Sequence, residues 1–217
     1  IDAGPDLRQQ VLRAKFRRLD AIFFTHNHVD HTFGLDEVRR FNIAQQSPIE
    51  VLAEEHTMVH LTRVYQHIFN RDANVNDSFV ASLLPRRIKP GEPVSMHGLR
   101  FTPVRLNHGK LPIVGYRIEA EGRAPESFLP MAYCTDVSGI PPESWKLLSN
   151  VKTLALDCLR ERHHPTHLTV DQATTIAHQI DADQTYFIHM AHDLPHQATC
   201  DALPPRMTLA YDGLQLG

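Results

Sequence analysis

Cysteine is scarce in this sequence. There are three cysteines, Cys134, Cys158 and Cys200, and no two of them form a C-x-x-C pair. Neither a disulfide framework nor a thiolate zinc site is therefore indicated, and reduced thiols in a cytoplasmic protein are expected. The sequence also lacks a signal-peptide pattern and any run near the roughly 18 apolar residues that cross a bilayer. We therefore expect a cytoplasmic protein with no membrane partner.

An excess of positive charge is also missing. Lysine and arginine number 22 against 25 aspartates and glutamates, so the net charge is −3. A broad nucleic-acid interface relies on clustered cations, so a nucleic-acid partner is not favoured. There is no internal repeat, low-complexity tract or Gly/Ser linker. A length of 217 residues suits one well-buried domain, and we predict a single domain over residues 1–217.

Short apolar runs alternate with helical patterns, which predicts a layered α/β protein. Thr169 and Gln172 form a capping box that begins a helix over 170–180, and the closing "MTLAYDGLQLG" is typical of an Asp-Gly hairpin. The other predicted elements are strands at 19–25, 49–53, 113–120, 128–135, 151–157 and 184–190, helices at 34–43 and 54–69, and a β-meander over 88–108.

Histidine is abundant, with 15 residues, and three of them lie in "THNHVDH" (25–31) directly after an apolar run. Histidine and aspartate are common ligands of divalent metals. Other polar residues also stand at or just past the ends of predicted strands, where the loops of α/β folds assemble functional sites. The strand-end residues are His26, His28, His108, Asp136, Asp157 and His189. The pattern predicts one site collected from several strands.

The cluster contains four potential ligands, which are too crowded for one tetrahedral ion held by this segment alone. A zinc ion takes four ligands, and a catalytic zinc leaves one position to water. His26 and His28, one residue apart in extended chain, point to the same side, whereas Asp30 and His31 follow a turn. We predict two ions, one for each pair. A set of merely exposed or helix-capping histidines is the alternative, and the density of the stretch disfavours it.

"THNHVDH" followed by Gly34 resembles the T-H-x-H-x-D-H signature of the metallo-β-lactamase superfamily. "IDAG", "LNHG", "YCTDVSG" and "FIHMAH" resemble its other motifs, in the same order. The resemblance covers essentially the whole chain and implies an α/β fold, the αββα four-layer sandwich. Relatives carry about two further strands before "IDAG", so we expect this chain to lack its first strands.

The resemblance also implies a ligand set of two divalent ions, Zn²⁺ or Mn²⁺. His26, His28 and His108 would hold the first ion. Asp30, His31 and His189 would hold the second, with Asp136 bridging both. Asp2 would orient a ligand histidine. His192 and His196 compete with His189, which is preferred because it ends a strand.

Two ions bridged by a carboxylate lower the pKa of a shared water, and the resulting hydroxide can attack a phosphodiester. The leaving group then needs an acid, and histidine fits. "HLTVDQA" resembles the phosphodiesterase branch of the superfamily, in which that histidine, here His167, protonates the leaving group or binds phosphate. The candidate catalytic residues are His167 and Asp30. His163 and His164 lie in the same loop. Arg160 and Arg162 are candidates for contacts with phosphate, and exposure to solvent is the alternative.

We therefore predict a metal-dependent phosphodiesterase that acts on a small or cyclic phosphodiester, similar to the phosphoribosyl cyclic phosphate phosphodiesterases. Three alternatives share the metal core: a tRNA 3′-end endonuclease, a thioester or lactone hydrolase, and a pyrroloquinoline-quinone biosynthesis protein. A non-catalytic metal-binding domain is a fourth, disfavoured because all seven implied ligands are present. Homodimers are common among relatives, so a homodimer is an open expectation.

Overall fold

The computed structural model describes residues 1–70, 72, 79–122 and 127–216. The chain folds into two compact units, Ile1–Lys89 and Pro90–Gly217. In the described part of the chain, every helix is too short or too polar to span a bilayer. The prediction of one domain over 1–217 stays a prediction.

The first unit is built on a parallel sheet of three strands in the order β1–β2–β3. Apolar residues of this sheet, such as Ile22 and Val51, pack with Met58 and Leu61 of a helix in one core. The elements in chain order are α1 (Leu7–Ala14), β1 (Ala21–Phe23), α2 (Val29–Thr32), a 3₁₀ turn (Leu35–Val38), α3 (Arg39–Gln45), β2 (Ile49–Ala53), α4 (Glu55–Val64), α5 (Gln66–Phe69) and β3 (Leu83–Arg87).

The predicted helix over 54–69 is interrupted in the structure. Helix α4 ends at Val64, and Tyr65 has the non-helical angles φ −105° and ψ 43° before α5 begins. The buried Tyr65 ring carries a hydroxyl that donates to the carbonyl of Thr32 at 2.9 Å. This tertiary contact, which a periodicity of apolar residues does not report, accompanies the break.

The second unit contains a seven-stranded sheet in the order β10–β9–β8–β7–β6–β5–β4. Strands β4 to β7 pair antiparallel, whereas β7 to β10 pair parallel. Its elements are β4 (Val94–Met96), β5 (Leu99–His108), β6 (Leu111–Ala120), β7 (Met131–Cys134), a 3₁₀ turn (Pro142–Ser144), α6 (Trp145–Leu148), β8 (Thr153–Asp157), α7 (Val170–Ile180), β9 (Gln184–Ile188), α8 (His196–Ala202) and β10 (Met207–Leu209).

This topology explains why four polar strand ends share one edge of the sheet. Strands β7, β8 and β9 are parallel, so their carboxyl ends, next to Asp136, Asp157 and His189, lie at the same edge. Strand β5 is antiparallel to β6, which is antiparallel to β7. Two reversals make β5 parallel to β7, and His108 at its end joins the same edge.

The predicted C-terminal hairpin is wrong. Strand β10 pairs in parallel with β9, in the register Thr208↔Tyr186, and the described residues 210–216 contain no strand. A turn does form, with the amide of Leu214 bonded to the carbonyl of Tyr211. The apolar strand completes an existing sheet edge instead of a two-stranded ribbon, which is marginal by itself. Gly217, the last residue of the predicted hairpin, lies outside the described residues.

Candidate functional site

The loop that follows β1 brings the imidazoles of the histidine cluster together. The ring centroids of His26 and His28 are 4.6 Å apart, and those of His26 and His31 are 4.3 Å apart. His28 is extended and the next residue begins α2, which turns the chain. Asp30 Oδ2 then lies 3.5 Å from His31 Nε2. The first unit therefore holds four of the predicted ligands as neighbours.

Asp2 organises this cluster through its two carboxylate oxygens. Oδ1 accepts from the amide of Thr25 at 2.8 Å, and Oδ2 accepts from the Thr25 hydroxyl at 2.9 Å. His31 Nδ1 lies 2.8 Å from the same Oδ2. The carboxylate accepts, so His31 carries its hydrogen on Nδ1 and its Nε2 is available to a metal. Asp2 thus orients a predicted ligand, as expected from "IDAG".

Thr25 orients His26 through a similar hydrogen bond to Nδ1. Its hydroxyl gives its hydrogen to Asp2, so the oxygen accepts from His26 Nδ1, which lies 2.9 Å away. His26 is 1% exposed and keeps Nε2 as its ligand atom. The threonine of the motif is therefore a link in a hydrogen-bonded chain from Asp2 to the ring, a role that the sequence analysis had not assigned.

In the second unit, Asp136 lies between two histidines. Its Oδ2 is 3.9 Å from His108 Nε2, and its Oδ1 is 3.4 Å from His189 Nε2. Both Asp136 and His189 have left-handed backbone, with φ 58° and 63°. Aspartate and histidine are among the residues that tolerate this region. Each carboxylate oxygen faces a different imidazole, which is the arrangement that a bridging ligand requires.

The backbone of Thr166 orients His108. The Thr166 carbonyl accepts from His108 Nδ1 at 2.8 Å, which leaves Nε2 for a metal. The neighbouring Gly109 has φ 61°, and a Cβ there would stand 2.7 Å from the Thr166 methyl group. Glycine is therefore favoured beside His108, both by its backbone angle and by this close approach.

Asp157 is a buried acceptor that the sequence analysis placed at a strand end but gave no function. Its side chain is 0% exposed. Oδ1 accepts from His167 Nδ1 at 2.9 Å and from the amide of Asp136 at 3.1 Å, and Oδ2 accepts from the amide of Leu168 at 2.9 Å. Burial raises the pKa of Asp157, and the bonds from His167 and Leu168 oppose that rise. An aspartate that ends the fully buried strand "TLALD" was the available signal.

His167, the predicted acid, lies beside two predicted ligands. Its ring is stacked on that of His189, with centroids 4.9 Å apart and planes at 10°. The centroid of His108 lies 4.6 Å away. Asp157 accepts from Nδ1, so the neutral ring of His167 carries its hydrogen on Nδ1. The polar loop before α7 therefore delivers an oriented imidazole to the ligand-bearing edge of the sheet.

The donor set fits divalent metals. The atoms offered are imidazole Nε2 and carboxylate oxygen, which suit Zn²⁺ and, with more oxygen, Mn²⁺. Two ligands at 2.0–2.2 Å from a tetrahedral ion are roughly 3.3–3.6 Å apart, and the Asp136–His189 distance of 3.4 Å matches. Asp157, His167 and His189 also lie within 4.8 Å of one another. Backbone amides and His167 already donate to both Asp157 oxygens. We therefore assign Asp157 to orienting His167 rather than to binding a metal.

The other candidate residues have different surroundings. His192 is exposed, and His196 Nε2 is 3.1 Å from the carbonyl of Ala210, whereas His189 faces Asp136. The guanidinium of Arg160 donates to the carbonyls of Arg162 and His163. That of Arg162 donates to Asp193, which lowers the pKa of this carboxyl.

The fold is similar to that of solved structures, and two of them illustrate the range of sequence identity. A structure described as a new diphosphatase from the PhnP family is 37% identical, with a TM-score of 0.85, and the match covers 98% of this chain and 76% of that one. A Zn²⁺-bound PqqB from Methylobacterium extorquens is 19% identical, with a TM-score of 0.75 over 100% of this chain and 82% of that one. The second likeness shows the fold alone.

Curated relatives carry two different names. An octanoyltransferase of Porphyromonas gingivalis is 33% identical over 99% of this chain and 41% of its own length. A ribonuclease Z of Staphylococcus epidermidis is 29% identical over 55% of this chain and 38% of its length. The chain thus spans about two fifths of the length of these relatives.

The sequence profile of the beta-lactamase superfamily domain matches residues 1–190 of this chain. That range contains every residue of the two clusters described above. The fold likeness to the PhnP-family structure agrees with the profile. The chain therefore belongs to the metallo-β-lactamase superfamily.

Proposed function

We propose that the chain is a metal-dependent phosphodiesterase that acts on a small or cyclic phosphodiester. The observation that carries the proposal is His167, an imidazole held by a buried carboxylate next to two predicted metal ligands. Hydrolysis of a phosphodiester produces an alkoxide that requires a proton, and thioester hydrolysis has less need of such an acid. The PhnP-family likeness supports the same class.

The proposed cofactor is a pair of divalent ions, Zn²⁺ or Mn²⁺. His26, His28 and His108 would bind one ion, and Asp30, His31 and His189 the other, with Asp136 between them. When bound, such ions supply a water of lowered pKa and neutralise charge on phosphoryl oxygens. Membership of the superfamily and the hydrogen-bonded orientation of His26, His31 and His108 support this ligand set.

The residues of the chain supply orientation and a proton. Asp157 keeps the hydrogen of His167 on Nδ1 and stabilises the imidazolium form, so that Nε2–H can donate to the departing oxygen. Asp30, whose side chain is 58% exposed, is the more accessible of the two candidate catalytic residues and doubles as a ligand. A cytoplasmic location and a homodimer remain proposals.

The octanoyltransferase name does not supply a better candidate. It belongs to a protein of which this chain matches only 41%. Burial raises the pKa of Cys134 and Cys158 to about 12, which leaves both thiols unreactive as nucleophiles. Thioester hydrolysis and RNA cleavage are kept as arms of the test.

The test compares wild-type protein with His167→Ala on a panel of substrates. The panel contains a cyclic ribose phosphate, two aryl phosphodiesters with good and poor leaving groups, an octanoyl thioester and a short RNA, with Zn²⁺ or Mn²⁺ content measured. We expect phosphodiester hydrolysis by the wild type. His167→Ala should retain its metal yet be slower by about 10²–10⁴-fold on the poor leaving group.

His178→Ala is the matched control, since His178 is an exposed histidine of α7 whose Nδ1 bonds the carbonyl of Thr174 within the helix. Hydrolysis of the thioester or the RNA in preference to every small phosphodiester would overturn the proposed substrate class. A His167→Ala variant as fast as wild type on the poor leaving group would overturn the acid assignment.

A further inference from the structure

A second histidine, His164, stands beside His167 in the loop between β8 and α7. The ring centroids of the two residues are 5.0 Å apart. His164 is partly exposed, whereas His167 is buried. His164 is therefore the more solvent-accessible imidazole of the pair, next to the group that we assign as the proton donor.

Thr166 decides which nitrogen of His164 carries the hydrogen. Its backbone amide lies 3.3 Å and its hydroxyl 3.2 Å from His164 Nδ1. A backbone N–H can only donate, so Nδ1 accepts and the hydrogen of the neutral ring sits on Nε2. The carbonyl of the same residue orients His108. One threonine thus sets the tautomer of a predicted ligand and of His164.

The neutral form of His164 is favoured as well. Burial lowers its pKa, and the neighbouring His167, Arg160 and His108 lower it further. A neutral imidazole with its hydrogen on Nε2 is a hydrogen-bond donor of fixed direction. It can approach an anionic substrate without taking the proton that the acid must deliver.

The arginines of the loop use part of their donors inside the protein. Arg160 bonds the carbonyls of Arg162 and His163, and Arg162 bonds Asp193. His164 forms its hydrogen bonds through Nδ1. In the described part of the chain, the structure gives its Nε2 no hydrogen-bond partner. His164 therefore presents a ring N–H available to substrate beside His167.

We propose that His164 is a substrate-binding residue whose Nε2–H donates a hydrogen bond to a non-bridging oxygen of the phosphodiester. His167 protonates the leaving oxygen in the same complex. This inference rests on the proposed phosphodiesterase function and assigns to one residue the recognition of the phosphate group.

Two substitutions distinguish the contribution of the Nε2–H donor from that of the rest of the His164 ring. His164→Asn reaches only as far as Nδ1, so it can contact Thr166 but offers no donor at the Nε2 position. His164→Gln places an amide N–H near that position. With metal-loaded protein, we expect His164→Asn to weaken the binding of inorganic phosphate and to raise KM for an aryl phosphodiester, each about 10- to 100-fold, as for a hydrogen bond to a charged group. His164→Gln should retain most of the affinity.

Phosphate binding is measured by isothermal titration calorimetry, with metal content and melting temperature as checks on each variant. His163→Asn is the control, because His163 is an exposed neighbour whose backbone carbonyl alone is used by Arg160. Unchanged phosphate affinity in His164→Asn overturns the inference, as does an equal loss in the His163 control.

Nitrogen-15 NMR of the imidazoles in metal-free protein adds a readout that needs no activity. We expect the Nε2–H tautomer at His164, and an Nδ1–H tautomer overturns the inference. If the wild type hydrolyses phosphodiesters and His164→Asn binds phosphate equally well, only the role of His164 is contradicted. A metal-loaded wild type that neither binds phosphate nor hydrolyses phosphodiesters contradicts both the inference and the proposed function.

Discussion

Three of the predicted ligand histidines share one arrangement of hydrogen bonds. The Nδ1 atoms of His26, His31 and His108 each face an acceptor, which is a hydroxyl, a carboxylate and a carbonyl respectively. This arrangement leaves Nε2 as the ligand atom and raises its basicity. Different elements supply the three acceptors, so the common outcome reflects a requirement of the site rather than a repeated local motif.

Asp157 lends itself to a conservative test. Asp157→Asn keeps the size of the side chain, but one of its two positions becomes an N–H₂ donor facing another donor, either His167 or a backbone amide. We expect the rate with a poor leaving group to fall about 10²-fold or more, because His167 loses its carboxylate and its preferred tautomer. The rate is measured at saturating metal across pH.

The control for this variant is Asp171→Asn, at an exposed carboxyl in the first turn of α7. A reduced rate that is the same for good and poor leaving groups would contradict a role through the acid. A loss of bound metal without an effect on the leaving-group dependence would instead indicate that Asp157 acts only through the Asp136 amide.

The cysteines predict a labelling pattern. Burial raises the pKa of Cys134 and Cys158 to about 12, so both thiols stay protonated far above neutral pH, and thiolate is the reactive form. We expect iodoacetamide at pH 8 to modify only the half-buried Cys200 in folded protein, and all three in urea. Mass spectrometry of the digest identifies the sites, and rapid labelling of Cys134 in native protein would contradict the burial.

At the scale of elements, backbone hydrogen bonds join the segment "IDAG" to the loop that carries the proposed ligands His26 to His31. The amide of Ala3 donates to the carbonyl of His31, and the amide of Gly34 donates to the carbonyl of Ala3, both at 2.7 Å. A Cβ at Gly4 would stand 2.4 Å from the carbonyl oxygen of Asp30. Glycine is needed because two backbone segments touch.

Gly34→Ala should therefore destabilise the protein. The added Cβ would lie 2.1 Å from the carbonyl oxygen of Gly4, and a backbone atom cannot move aside as a flexible side chain does. We expect a loss of about 1–3 kcal/mol in the free energy of unfolding, as for overpacking, measured by urea denaturation. Gly139→Ala, where a Cβ would meet nothing within 4 Å, is the control. Equal stability of the two variants would disprove the close contact.

Element prediction succeeded where the determinants are local. The capping box of Thr169 and Gln172 forms, and α7 covers residues 170–180 as predicted. Strand β2 has the predicted bounds. The break at Tyr65 and the pairing of β10 were missed because each depends on a distant partner, the Thr32 carbonyl and strand β9.

For the whole molecule, metal removal is the informative perturbation. The proposed ligands come from four separate segments of the sequence, so unfolding takes these segments apart. An ion that binds only the folded state adds about 2.7 kcal/mol at a concentration 100-fold above its Kd. We expect EDTA to lower the melting temperature and Zn²⁺ or Mn²⁺ to restore it. His108→Ala should reduce this shift, because it removes a proposed ligand of one of the two ions.

His56→Ala serves as the control for the metal experiment, because His56 is exposed on α4 and is not a proposed ligand. Calorimetric melting with and without metal measures the shift. Identical melting temperatures for EDTA-treated and metal-loaded wild type would contradict metal binding by the folded chain.

The sequence by itself determined the superfamily of this protein and the residues that we propose for its site. Residue types, their spacing in "THNHVDH" and the order of the later motifs were enough to identify the superfamily and to nominate His108, Asp136, His167 and His189. These features are local, and a ligand atom depends on residue type. What only the tertiary structure decided is which atom each residue presents. The role of Asp157 and the tautomer of His108 depend on hydrogen bonds between residues 10 and 58 positions apart, and no local pattern encodes such contacts.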